Sequence, residues 1–196
     1  MKRFITAALT LPLLAACGSG SLSLTKSEIS LINDGGGVMR VLTVDDPDDS
    51  LLLRTPSVDF RVGDIGSDVY HLLADRMVET VTSPEQDGVG IAGPQVGLLR
   101  RVVAVQRFDK DGQPFEVYPN IRIMRKGGSL ELGREGCLSV PGKRGEVMRY
   151  HEIEISYVSP FTLNDTTETV ENFTAVIFQH ECDHLDGILY TDKVER

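Results

Sequence analysis

Gln179-His180-Glu181-Cys182-Asp183-His184 is the stretch on which the reading of this chain turns. It has the form H-E-x-x-H and sits in a segment, Phe173 to Leu185, with no Pro or Gly to interrupt a helix. Four residues along a helix is about 400° of rotation, so His180 and His184 project from nearly one face, a turn apart. Two imidazoles so placed can grip one metal ion, with Glu181 beside it as a potential general base. A His pair at this spacing can equally be a surface accident or a satisfied core pair, so a third ligand has to decide. In the extended pattern H-E-x-x-H-x-x-G-x-x-H, Gly187 fits but Tyr190 stands where the last His should be. Twelve residues follow His184, too few for a distant downstream Glu ligand. The third ligand is therefore expected upstream.

Upstream, the candidate is Cys137, within Arg134-Glu135-Gly136-Cys137-Leu138-Ser139-Val140-Pro141-Gly142. A thiolate suits Zn(II) or Fe(II), and metal binding itself drives its deprotonation. Taken alone, a single Cys is more often an inert, buried, small apolar residue. A third segment, Asp87 to Gly97, carries four glycines from Gly88 to Gly97 and a single amide at Gln95. It follows a helical pattern and precedes a strand, the reverse of a dinucleotide-binding loop, and it lacks the Lys-Ser/Thr ending of a phosphate loop. It suits a tight loop whose backbone approaches a ligand, with Gln95 as a hydrogen-bond donor, although an ordinary turn would look similar.

Together the three segments resemble the peptide deformylase family, marked by a G-x-G-x-A-A-x-Q loop, an E-G-C-L-S strand and a Q-H-E-x-D-H helix in that order. Here these are Gly88 to Gln95, Glu135 to Ser139, and Gln179 to His184. The resemblance runs from about Val41 to the end of the sequence. The second and third motifs match without departure; in the first, Gly93 replaces the family's second Ala, which predicts a less rigid loop. The resemblance implies that Cys137, His180 and His184 hold one divalent metal ion, Fe(II) in this family, with Zn(II) or another divalent ion able to substitute. It implies Glu181 as general acid/base, and Gln95 with the backbone N–H of Leu138 as donors to the oxyanion. Gly88 and Gly90 would let an extended peptide pair with the loop, and Arg144 matches an Arg near the family's substrate-binding region. Asp183 could orient an imidazole, or be a solvated helix charge. The expected reaction is removal of the formyl group from N-formyl-methionyl peptides or proteins. A catalytically idle metal- or peptide-binding lipoprotein and a zinc endopeptidase are the alternatives; intact Glu181 and Gln95 argue against the first, the missing downstream ligand against the second.

With 196 residues and 41% apolar content, the chain supports one good core. A net charge of −9 and a pI of about 4.9 argue against a general affinity for nucleic acid. Three cysteines imply no disulfide framework, and Cys182 is expected to be buried on the back of its helix. The N-terminus has a different character. A charged start at Lys2-Arg3, an apolar run from Phe4 to Leu14, and Leu14-Ala15-Ala16-Cys17 resemble a bacterial lipoprotein signal, too short to span a membrane. Residues 1–16 are read as the signal peptide, residues 17–40 as a tether lipidated at Cys17, and residues 41–196 as one catalytic domain. The expected location is export and membrane anchoring by lipid rather than by a transmembrane helix; a cytoplasmic enzyme with an unused signal is the alternative.

The fold class is α+β, with mixed or antiparallel sheets packed around a central, C-terminal metal-binding helix. Asp64 or Ser67 should cap a helix with apolar Val69, Leu72, Leu73, Met77 and Val81, running to about Thr82 before Pro84. Strands are expected at Arg101–Gln106, Val117–Tyr118, Ile121–Met124, Ile153–Val158 and Thr167–Val170, with a first strand at Val38–Val44 and a turn at Asp111-Gly112. Val176, Ile177 and Leu185 are candidate buried residues of the metal helix.

Overall fold

In the computed structural model, which describes residues 22–194, the chain begins with three short helices: α1 (Lys26–Asn33), α2 (Pro47–Leu53) and α3 (Val62–Ile65). The signal-like residues 1–16 and Cys17 lie outside the described residues. Part of the segment read as a tether is instead folded onto the domain. Thr25 and Glu28 form a capping box that starts α1, and Ile32 is fully buried. Two arginines fasten this segment. Arg76 donates to the carbonyls of Leu31, Ile32 and Gly37, satisfying the C-terminal end of α1, and Arg100 pairs with Glu28 while bonding the carbonyls of Leu22, Ser23 and Asp59. Gly35-Gly36-Gly37, within the segment expected to be a tether, forms a left-handed turn leaving the helix.

No strand forms at Val38–Val44. The N–H groups there go elsewhere: Met39 to Thr80 Oγ1 at 2.8 Å, Leu42 to the Gln95 carbonyl at 2.8 Å, and Val44 to the Ser139 carbonyl at 2.9 Å. This stretch therefore braces two loops rather than a sheet.

Ser67 caps α4 (Asp68–Thr82) by accepting from the Tyr70 N–H, and Pro84 follows its end. Two antiparallel three-stranded sheets follow. The first orders β1 (Gly90–Ala92), β2 (Val102–Gln106) and β3 (Phe115–Pro119); the second orders β4 (Arg122–Cys137), β5 (Val140–Val158) and β6 (Asp165–Glu171). A 3-10 turn at Gly93–Val96 links β1 to β2, and Gly112 turns between β2 and β3 at φ +76°. The chain then enters α5 (Asn172–Leu185) through Asn172 at φ +58°, a left-handed conformation Asn tolerates.

β2 shows why the two sheets need both helices. Its alternate residues Val102 and Ala104 join one apolar cluster with Ile91 and the α4 residues Leu73, Met77 and Val81. Val103 and Val105 face the opposite way, into a second cluster with Ile153, Ile155 and the α5 residues Ile177, Phe178 and Leu185. A strand covered on both faces reads as a continuous apolar run. Thus α5 lies between the sheets, as the fold class anticipated. Ile177 and Leu185 are buried as expected, whereas Val176 is only partly buried and faces a cleft. Cys182 is buried on the rear of α5, and burial pushes its thiol up to about 12, leaving it inert. No helix among the described residues is long and apolar enough to cross a membrane.

Candidate metal centre

α5 and the β4–β5 hairpin tip build the centre between them. β4 ends at Cys137, which pairs with Val140 across the two-residue connection Leu138-Ser139, after a register shift at Gly136. The hairpin tip thereby delivers the thiol to α5. Cys137 Sγ lies 3.2 Å from His184 Nε2, and ligand atoms of Cys137, His180 and His184 all lie within 4.8 Å of one another. Metal–sulfur bonds of about 2.3 Å and metal–nitrogen bonds of about 2.0–2.1 Å give tetrahedral edges of roughly 3.5 Å, so the donor set fits a single ion. Three protein donors leave one position free for water or substrate, the arrangement of catalytic rather than structural sites.

The imidazoles are held differently. His180 Nδ1 lies 2.8 Å from Glu135 Oε2, and Glu135 is in turn held by Arg149 Nε and Nη2 at 2.7 and 3.0 Å. Arg149 also reaches Asp183 at 2.6 Å, and Lys193 binds Asp183 at 2.6 and 2.7 Å. Asp183 therefore neither orients an imidazole nor stands free in solvent; it anchors the far end of this chain of charges. Glu135 performs the orienting role, from a different element. Burial raises the Glu135 carboxyl, yet the bonds from His180 and Arg149 prevail and hold it down at about 2. Tyr190, at the position a third His would take, stacks on His180 with ring centroids 6.0 Å apart and planes inclined by 23°. His184 Nδ1 has no hydrogen-bond partner among the described residues. Burial, with the neighbouring His180, pushes His184 well below the usual histidine value, favouring the neutral imidazole that a metal requires.

Glu181 lies at the floor of a cleft of about 900 Å³, lined by Asp87–Gly90, Gln95, the outer half of the β4–β5 hairpin including Arg144, and Phe173, Val176 and Ile177 of α5. It is buried, its Oε2 has no hydrogen-bond partner among the described residues, and burial pushes its carboxyl up to about 7. A buried carboxyl poised near neutrality can both take and return a proton. Gln95 is fixed from both ends. Its Oε1 accepts from the Ala92 N–H at 2.8 Å, which turns Nε2 toward Ser139 Oγ at 3.2 Å and Cys137 Sγ at 3.7 Å. Leu138 is the first residue of the hairpin connection, directly after the thiol. Gly88 and Gly90 line the cleft beside β1, an edge strand whose outer side has no partner strand among the described residues. Arg144 is exposed on β5 opposite Gly136.

The structure thus gathers Cys137, His180, His184, Glu181, Gln95, Leu138, Gly88, Gly90 and Arg144 around one cleft, although they come from three separate segments. Glu135 and Arg149 were not singled out from the sequence. The available signal was an acidic residue two positions before Cys137, inside the E-G-C-L-S motif.

A family model described as polypeptide deformylase matches residues 38–196. The peptide deformylase of Symbiobacterium thermophilum is 43% identical over 125 residues, 62% of this chain and 54% of that protein. That of Leptospira biflexa serovar Patoc is 33% identical over 165 residues, 81% of this chain and 88% of that protein. The match thus spans little more than half of the first relative but most of the second. Among solved structures, an actinonin-bound class I type b peptide deformylase from Acinetobacter baumannii has a TM-score of 0.71 at 31% identity, covering 82% of this chain and 100% of that one. The peptide deformylase of Thermotoga maritima has a TM-score of 0.70 at 29% identity, covering 81% and 99%.

Proposed function

The chain belongs to the polypeptide deformylase family, and from that membership and the geometry of its cleft we propose that it hydrolyses the formyl amide of N-formyl-methionyl peptides or proteins, releasing formate and a free amine. The observation that carries this reading is the convergence of Glu181 and Gln95 on the open side of the Cys137–His180–His184 donor set. A mere binding protein has no use for a buried proton-transfer carboxyl there, and Tyr190 occupies the place from which an endopeptidase of the extended motif would draw its ligand.

A divalent ion in this site supplies Lewis acidity and makes water available as a nucleophile near neutral pH. Glu181 takes the proton of the attacking water and passes it to the departing amine. Gln95 Nε2 and the Leu138 N–H donate to the formyl oxygen as it gains negative charge. The free edge at the start of β1, with Gly88 and Val89 just before it, pairs with the extended peptide, and Arg144 lies where the peptide leaves the cleft. A class I type b peptide deformylase from Acinetobacter baumannii has been solved with Met-Ala-Ser bound, which supports a methionyl peptide as the kind of ligand proposed here. Fe(II) is our choice of ion, with Zn(II) and other divalent ions able to occupy the same donors.

The location we propose is outside the cytoplasm, anchored by lipid at Cys17. Support comes from Lys2-Arg3, the apolar run to Leu14 and the small residues Ala15-Ala16 before Cys17. Formyl groups on exported proteins or peptides would then be the substrates. Recovery of the full-length, uncleaved chain solely from the cytosol would overturn this location while leaving the chemistry intact.

The experiment that tests the chemistry is a formate-release assay with formyl-Met peptide on protein prepared without oxygen, with metal analysis of the same sample. Cys137→Ala should lose the metal, while Glu181→Ala should keep it and lose turnover. Metal-loaded protein that releases no formate would return the idle binding protein to favour.

A further inference from the structure

The N-terminal segment enters the domain at a defined place. Leu22 pairs with Phe60 as a parallel bridge, its N–H donates to the Asp59 carbonyl, and its own carbonyl accepts from Arg61 N–H and from the fully buried Arg100. Leu24 N–H donates to Asp64 within α3. Four apolar side chains are exposed at this entry point, on α3 and on the β5–β6 turn, with the exposed Arg61 and Asp68 flanking α3: Leu22 is 57% exposed, Val62 42%, Leu163 38% and Phe161 94%. These residues are held together by α3. Leu22 meets its N-terminal end at Arg61, and the Leu163 side chain rests over its C-terminal end, where a Cβ on Gly66 would stand 3.3 Å from Leu163 Cδ1.

Phe161 is not a stray loop residue. Ser159 Oγ accepts from the Phe161 and Thr162 N–H groups, the Ser159 carbonyl accepts from Leu163 N–H at 2.8 Å, and Ser159 N–H donates to Asn164 at 2.9 Å. This closed turn between β5 and β6 holds an aromatic ring outward, at a cost that burial in an apolar phase would offset. No charged side chain of the turn from Ser159 to Asn164 competes with it.

We propose that the α3 face, with Phe161 at its tip, lies against the lipid surface and fixes the orientation of the enzyme on the membrane. The inference rests on the lipid anchor at Cys17 proposed above. Because Leu22 is already docked, five peptide steps separate Cys17 from the folded domain, a reach of at most about 17 Å. A tether running to residue 40 would let the domain tumble freely; one ending at Leu22 holds the α3 face toward the membrane. The anchored chain carries a net negative charge, so apolar insertion rather than charge attraction is the contact this face offers. The catalytic cleft is at the other end of α4. That helix starts beside α3 and ends at Thr82, the carbonyl of Val81 in its last turn accepting from Gly88 N–H, and its fifteen residues span about 22 Å. Docked this way, the cleft opens away from the bilayer, where exported chains can enter it.

The natural chain contains no Trp, so a single introduced indole reports its own surroundings. Full-length protein recovered from membranes is checked by mass for the lipid on Cys17, then placed in phosphatidylcholine vesicles with plain or brominated acyl chains. In the Phe161→Trp variant, emission should shift to the blue and lose at least half its intensity with brominated chains. In the Leu130→Trp variant, on the β4–β5 hairpin, neither change should occur. Lipidated protein whose Phe161→Trp emission is the same in both vesicles overturns the orientation but not the anchor. Absence of lipid on Cys17 overturns both.

Discussion

Gly90 stands against Glu181 so closely that a Cβ placed on it would lie 2.5 Å from Glu181 Oε1 and 2.8 Å from Ile177 Cγ2. The glycine of the first motif is therefore a steric partner of Glu181, the proposed acid/base, in the third. Gly90 does not adopt a left-handed conformation, so Ala is acceptable to the backbone and the conflict is with the Glu181 and Ile177 side chains. We expect Gly90→Ala to keep stoichiometric metal and lose about 10²-fold or more in kcat/KM, because a displacement near 1 Å of a reacting group costs that much. Wild-type turnover in this variant would show that Glu181 is not held by Gly90.

Glu181 also sets the pH behaviour. Burial lifts its carboxyl from 4.5 to about 7, and the ionised form is the one that abstracts a proton. A bound dication pulls the carboxyl down, so the acid limb of kcat/KM should fall between these two values and not above the upper one. Glu181→Gln should abolish the limb, with a loss of about 10²–10⁴ in rate. The stability effect has the opposite sense. A folded-state value above the unfolded one favours the protonated carboxyl, so stability is full below 4.5 and declines as pH rises toward 7. Metal-free Glu181→Gln should therefore be more stable than the metal-free wild type at pH 8, by on the order of 3 kcal/mol; equal melting temperatures across that range would contradict the burial.

The Glu135–His180 contact gives a third expectation. Glu135→Gln keeps an acceptor near His180 Nδ1 but removes the charge that Arg149 neutralises. Metal affinity, measured by competition with a chelator, should drop about 10–100-fold, the usual effect of losing such a partner. Asp183→Asn, which touches no imidazole, should weaken metal binding less. The reverse order would reassign the orienting role to Asp183.

What could be read in the sequence follows from where each segment sits. The α4 positions Leu73, Met77 and Val81 and the strand β2 pack into the core, so their periodicity is intact. The β4–β5 hairpin projects outward over the cleft, with Leu130 and Leu132 exposed and Gly127, Gly128 and Gly133 interrupting it. Its inner ends, near Ile121 to Ile123 and Ile153 to Val158, pack into the main core and were legible, whereas Val140 and Val147 are buried in a smaller cluster with Leu189 and Tyr190 that no local periodicity announces. The proposed ligands Cys137, His180 and His184 were legible because local motifs carry them. Asp183 is a helix neighbour of both His ligands and drew attention for that reason, but three residues on from His180 it points toward Arg149 and Lys193. Glu135 is 45 residues from His180, a relationship that only the fold creates. α1 was hidden by the glycines after it, although Thr25 and Glu28 already spelled its capping box.

Gly93 reverses its sequence reading. A Gly in place of Ala suggested a looser loop, yet a Cβ there would stand 2.6 Å from the Arg100 carbonyl, 2.8 Å from the Leu98 carbonyl and 3.2 Å from Val102 Cγ1. The first two are backbone atoms, which cannot rotate away as a side-chain end could. Gly93 also accepts from Leu98 N–H at 2.9 Å, so the loop from Gly93 to Arg100 closes tightly on itself because no side chain intervenes. The same Arg100 fastens the N-terminal segment, and the same 3-10 turn carries Gln95. Restoring the family's residue with Gly93→Ala should therefore not rigidify the enzyme. It should destabilise it by about 1–3 kcal/mol, the range for overpacking, and lower turnover by shifting Gln95 while the metal stays bound. Thermal melting and formate release on one preparation check both parts. A variant that melts at or above the wild-type temperature would show that the loop has room for the methyl group.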